Sequence, residues 1–194
     1  LISAVPAQFT REVARQYSSY INCDVVVNVA KGIENGTYKR MSEVLKEELP
    51  ENVSIVTLSG PNHAEEVSRK MPTATVIASE NVDRLSEIKK IFHIDYFRVF
   101  THEDIIGVEV CGALKNIAAI ATGVCDGLGY GDNAKASIIT LGLMEMSTYG
   151  KFAGAKRATF YGLAGVGDLV ATCTSKHSRN RFVGEKIAEG KKFN

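Results

Sequence analysis

Lys115 and Asn116 stand side by side in the middle of an apolar, helix-forming run, "EVCGALKNIAAI", from Glu109 to Ile120. An amine is expensive to bury without a partner, so a lysine in this setting asks for a purpose. On a helical wheel Val108, Gly112, Lys115, Asn116, Ala119 and Gly123 fall within roughly a 100° arc. Apart from Val108 that stripe is small or polar. Lys115 and Asn116 therefore point the same way, into space left by two glycines and an alanine, with Leu114, Ile117 and Ala121 expected on packing faces. A partly desolvated amine over a cavity has a lowered pKa and can act as a base near neutral pH. The bland alternative is a lysine that snorkels from a helix end to the surface.

A second group lies in "GLAGVGDLVATCTSKHSRNRF", Gly162 to Phe182. Gly165 and Gly167 are expected to break the chain before a short apolar helix. Asp168 falls at that helix's start, where the macrodipole favours a carboxylate, and Thr172 shares its face one turn on. Ser178 is expected to N-cap the last helix, with Arg179 and Asn180 in its first turn. Free N–H groups and an Arg fork there suit a phosphate. Asp168 as a plain N-cap and "SRNR" as a solvated basic turn are the alternatives. Two loops follow β-branched runs: "VAKGIENG" sets Lys31 after one, and "LSGPNHAEE" sets Gly60, Asn62 and Ala64 after another. In open α/β sheets ligands bind beyond the carboxyl ends of strands.

The elements that must position these residues change character along the chain. Up to about residue 104, strands at 24–30, 54–59, 73–79 and 97–101 alternate with helices at 7–20, 41–49 and 82–92, plus a short one after "GPNH". That alternation predicts βαβ units and a largely parallel sheet, with antiparallel pairing of the last strands left open. Beyond it only helices are expected, at 104–124, 133–150, 167–174 and 179–189. The expected fold class is α/β followed by all-α, divided at residue 104/105.

The chain has 194 residues, 45% of them hydrophobic and 23% charged, enough for a sizeable core. A net charge of +1 gives no bulk attraction to nucleic acid or membrane, so any anion site is local. The four cysteines form no C-x-x-C pair and read as buried free thiols of a reducing compartment. No signal peptide opens the chain. Residues 105–124 approach the ~20 residues of a membrane span. A central lysine costs roughly 3 kcal/mol on insertion scales, and the Gly and Ala content suits close packing, so a core helix is expected. No metal site is expected.

Taken together, "VAKG", "LSGPNHAEEV", "EVCGALKNIAAIATG" and "GVGDLVATC…SRNRFVGE" resemble, in order, the soluble, bacterial-type NAD(P)-dependent glycerol-3-phosphate dehydrogenases over nearly the whole chain. The resemblance implies a Rossmann-type nucleotide domain followed by a 6-phosphogluconate-dehydrogenase-like helical domain. It implies hydride transfer between sn-glycerol 3-phosphate and NAD or NADP, giving dihydroxyacetone phosphate and serving phospholipid synthesis in the cytoplasm. Lys115 matches the proton acceptor. Lys31, Gly60, Asn62, Lys115, Asn116, Asp168, Thr172, Ser178, Arg179 and Asn180 match substrate-binding positions, and Lys31, Ala64 and Arg179 match cofactor contacts. Lys31 as a second cation would lower the pKa of Lys115 further. No nucleic acid or membrane partner is implied; a homodimer is the open expectation. The family's opening strand and G-x-G-x-x-G turn are absent, and "GLAGVG" has different spacing. The chain thus reads as the back of the nucleotide domain plus a C-terminally truncated helical domain, and this segment alone is expected to bind cofactor poorly and turn over little. The rival readings are a hydroxyacid or 6-phosphogluconate-type dehydrogenase, against which the "SRNR" block argues, and a non-catalytic module that kept the fold.

Overall fold

The computed structural model describes residues 1–191. Five strands, β1 (Ile2–Ser3), β2 (Val25–Asn28), β3 (Ser54–Ser59), β4 (Thr73–Ala78) and β5 (Phe97–His102), form one sheet in the order β1-β2-β3-β4-β5. The pairs β1/β2, β2/β3 and β4/β5 are parallel, and β3/β4 is antiparallel. The antiparallel joint thus falls in the middle of the strand series, and the last two strands run parallel. The reason is local. Helix α3 (Ala64–Ser68), the one helix between β3 and β4, has five residues. At ~1.5 Å per residue it cannot carry the chain back along a six-residue strand of ~20 Å.

Residues of β2 and β3 point alternately to two cores. Val25, Val27, Val56 and Leu58 pack with Leu85 and Ile88 of helix α4 (Asp83–Phe92). Val26 and Ile55 pack with Ala14 of α1 (Thr10–Tyr17) and Leu45 of α2 (Met41–Glu48). Burial on both faces is why "DVVVNVA" shows no alternation of polar and apolar residues.

The helical part begins at α5 (Ile105–Gly127) and continues through α6 (Asp132–Phe152), α7 (Asp168–Thr174) and α8 (Arg179–Ala188). Asp104 caps α5, accepting the Gly107 N–H at 2.9 Å; its other oxygen accepts the Thr159 hydroxyl at 2.5 Å and the Lys156 N–H at 2.8 Å. Helix α5 is long and apolar enough to cross a membrane, yet 61% of its most apolar 18-residue window lies inside the fold, the position of a core helix. Val76 and Ala78 of the sheet pack on Ile105 and Val108 of α5, joining the two parts.

Three expectations need correction. Ile117, expected on a packing face, is 66% exposed on an open groove beside α6, whereas Leu114 is half-buried and packs against the helical core as expected. Apolar residues run all round α5, so its sequence does not mark the face that α6 covers. Gly165 and Gly167 do not break the chain: Leu163–Gly167 is a π-turn that runs straight into α7. Gly165 is needed for contact instead, since a Cβ there would sit 2.1 Å from the Phe160 carbonyl oxygen. Finally, Cys111, Cys125 and Cys173 are buried free thiols as expected, whereas Cys23 is only half-buried.

Candidate active site

The Lys115 amine is buried, its side chain 6% exposed. It donates to Asp168 Oδ1 and to Thr172 Oγ1, both at 2.6 Å. The Thr172 hydroxyl in turn donates to the Asp168 carbonyl at 2.6 Å, the i−4 bond that locks its rotamer. Asp168 is therefore not an N-cap; its carboxylate makes no capping bond to α7. Its second oxygen, Oδ2, accepts from Lys31 Nζ at 2.8 Å. One buried carboxylate thus bridges two ammonium groups, one per oxygen.

Lys31 leaves the end of β2 and is fixed further by the Gly60 carbonyl at 3.1 Å and Asn62 Oδ1 at 3.4 Å, both just past β3. Gly60 adopts φ +145°, a conformation other residues rarely hold, and a Cβ there would press on Thr75 at 3.1 Å. Burial pulls the Lys115 pKa down from its ordinary range, the charge of Lys31 pulls the same way and Asp168 resists; the result is about 8.

The stripe of small residues on α5 works differently from the wheel expectation. A Cβ on Gly112 would meet the Lys31 stem at 3.3 Å, and one on Gly123 would lie 1.9 Å from the Arg181 carbonyl oxygen. These glycines admit the Lys31 side chain and the backbone of α8 rather than leaving empty space. The open volume lies beside Lys115 and Asn116, in a cleft of about 700 Å³ between the sheet's strand ends and the helices. Lys31, Asn62, Ala64, Lys115, Asn116, Asp168, Thr172, Ser178, Arg179 and Asn180 all line it. Gly60 does not line the cleft; its carbonyl holds Lys31 from behind the wall.

Ser178 caps α8, its Oγ accepting the Arg181 N–H at 3.2 Å, and Asn180 donates to Asn116 Oδ1 at 2.8 Å, tying the anion-suited turn to α5. Arg179 is exposed at the cleft's edge. The sequence reading missed Ala4, Val5 and Pro6, which follow β1 into the cleft, and the His63/His177 pair on its wall, whose ring centroids lie 6.5 Å apart with the planes tilted by 54°. A two-residue strand carries too little pattern to flag the loop after it, and nothing in the spacing of the two histidines couples them.

Fold and site together define a class: a Rossmann-like sheet joined to an all-helical domain, with a lysine–aspartate–lysine centre in the cleft between them. Comparison with known proteins narrows this. Residues 1–85 match the family model "NAD-dependent glycerol-3-phosphate dehydrogenase N-terminus" and residues 104–194 match the corresponding C-terminus. The chain is 51% identical over 191 residues to the glycerol-3-phosphate dehydrogenase [NAD(P)+] of Clostridium botulinum, covering 98% of this chain and 57% of that protein. It is 53% identical over 194 residues to that of Chlorobium limicola, covering 98% of this chain and 58% of the relative. The crystal structure of glycerol-3-phosphate dehydrogenase from Coxiella burnetii superposes with a TM-score of 0.93 at 41% identity, over 97% of this chain and 58% of that one. The chain belongs to the NAD-dependent glycerol-3-phosphate dehydrogenase family and spans under two thirds of the length of these relatives.

Proposed function

We propose that the protein interconverts sn-glycerol 3-phosphate and dihydroxyacetone phosphate with NAD or NADP, Lys115 handling the proton. The observation that carries this is the buried amine with a pKa of about 8, held by Asp168 and Thr172 on the wall of a polar cleft. The residues present suit the reactive end of a nicotinamide dinucleotide, since Lys31, Ala64 and Arg179 line the cleft past the carboxyl ends of parallel strands. When bound, that cofactor takes or gives the hydride.

Oxidising the alcohol at C2 requires a base for the hydroxyl proton. Neutral Lys115 supplies it, and protonated Lys115 returns the proton to the carbonyl oxygen in the reverse direction. With a pKa of about 8 the amine is mostly protonated at neutral pH, which favours the reductive direction there. Lys31 adds positive charge where the oxygen becomes anionic, and its three fixed acceptors keep that charge in place before reaction. Arg179, Asn180 and the first turn of α8 hold the substrate phosphate, a remote handle whose binding energy fixes C2. Asn116 sets Asn180 through their hydrogen bond.

We place the division between the two parts at residue 104/105, where β5 has ended and Asp104 caps α5. The free thiols fit a cytoplasmic protein. The test is Lys115→Ala in the full-length protein: kcat for glycerol 3-phosphate should fall by roughly three decades, the scale of a lost general base plus its positioning. Wild-type turnover in that variant, or faster turnover of unphosphorylated hydroxyacids by the wild type, refutes the reading.

A further inference from the structure

Helix α5 carries a second buried charge that this chemistry leaves unused. Glu109 lies six residues before Lys115, with its side chain 4% exposed. Its Oε1 accepts the Ser42 N–H at 2.8 Å and the Thr57 hydroxyl at 3.2 Å. Its Oε2 accepts the Ser42 hydroxyl at 2.6 Å and the Arg40 guanidinium at 2.7 Å. All four donors belong to the sheet part, three of them at the start of α2.

Helix α2 needs this carboxylate. Its N-cap residue is Arg40, whose side chain can only donate, so the first-turn N–H of Ser42 has no local acceptor. Glu109 supplies one from across the joint. The loop from Lys31 to Arg40 is then held on α5 at both ends. At one end the Lys31 stem lies along Gly112; at the other, Arg40 is bound to Glu109. The gap between these two anchors, walled by Thr57, Ser59, Val108 and Gly112, is too narrow to admit a water, so only protein atoms lie between the two ends.

We infer that Glu109 is a positioning residue for the proposed reaction: by anchoring the start of α2 it sets the loop that carries Lys31, and so where the Lys31 ammonium stands relative to the Lys115 amine. This rests on the function proposed above. The charged group facing Glu109 is Arg40; the titratable groups facing Lys115 are Lys31, Asp168 and, one turn further along α7, Cys173.

The test compares Glu109→Gln, Lys31→Met and the double variant in the full-length protein, using pH profiles of kcat/KM for glycerol 3-phosphate oxidation. Glu109→Gln is expected to lose about 10-fold or more in kcat/KM, as misplaced groups do, and to move the acid limb upward in the same direction as Lys31→Met. In the Lys31→Met background it should cost no more than about 2-fold further, because a residue acting through Lys31 has nothing left to act on. An unshifted limb in Glu109→Gln, or an equal loss in both backgrounds, overturns the inference and leaves an ordinary buried ion pair. Should Glu109→Gln not fold, Ser42→Ala removes a single donor and carries the same comparison at smaller amplitude. A wild-type profile for Lys31→Met overturns instead the reading of the site itself.

Discussion

Replacing Lys31 with methionine isolates the electrostatic part of the mechanism. Lys31 and Lys115 bind opposite oxygens of Asp168, at 2.8 and 2.6 Å. Two such bonds around one carboxylate set the ammonium groups about 5 Å apart. At an effective dielectric near 20, like charges at that distance repel by about 3 kcal/mol, or about two pKa units. Lys31 is 23% exposed, so solvent trims the effect to about one to two units. Its removal also leaves Asp168 to Lys115 alone, which stabilises the ammonium and pushes in the same direction. The acid limb of kcat/KM for oxidation, expected at about pH 8 in the wild type, should therefore move to about pH 9–10 in Lys31→Met. Initial rates of NAD(P)H formation from pH 6.5 to 10.5 measure it. A limb that stays put, or that moves down, refutes the claim that Lys31 tunes the base.

The buried ammonium should also weaken the fold. The Lys115 pKa is lowered from 10.5 to about 8, so the folded state binds its proton less tightly than the unfolded state and stability rises with pH across that window. The shift corresponds to about 3 kcal/mol of destabilisation below pH 8. Lys115→Met is thus expected to match or exceed wild-type stability at pH 7, with the difference shrinking between pH 8 and 10.5 in urea titrations. Gly123→Ala would drive a methyl group against the Arg181 carbonyl, 1.9 Å away, displacing α8. A loss of about 3 kcal/mol by denaturation, together with a raised KM for glycerol 3-phosphate, is the expected result. Arg179→Lys keeps the charge and loses the fork, so KM should rise roughly tenfold with kcat nearly unchanged.

Much of this was legible in the residues. Strong periodicity placed every helix of eight residues or more and four of the five strands within a few positions, and the burial of Lys115 followed from its apolar neighbours. What stayed hidden were the long-range pairings. Asp168 stood at a helix start, where a cap is the default, and nothing local revealed that Lys31, 137 residues away, takes its second oxygen. The glycines of α5 were visible as a small stripe, but a stripe does not say whether a void or another backbone fills it; at Gly123 it is a backbone. Glu109 was visible only as a charge in an apolar run, because its partners on α2 and β3 adjoin it only after the two parts dock.

The division of labour across the joint explains why the base is tuned as it is. The amine comes from α5, its carboxylate and hydroxyl partners from α7, and the second cation from the end of β2. Burial lowers the Lys115 pKa most, and the further lowering by Lys31 reaches the amine only across the joint, where Asp168 takes one ammonium on each oxygen. The Lys31 contribution to the depressed pKa is therefore a property of the docked pair, and a change that loosens the joint, at Glu109 or at Gly112, is felt at the amine.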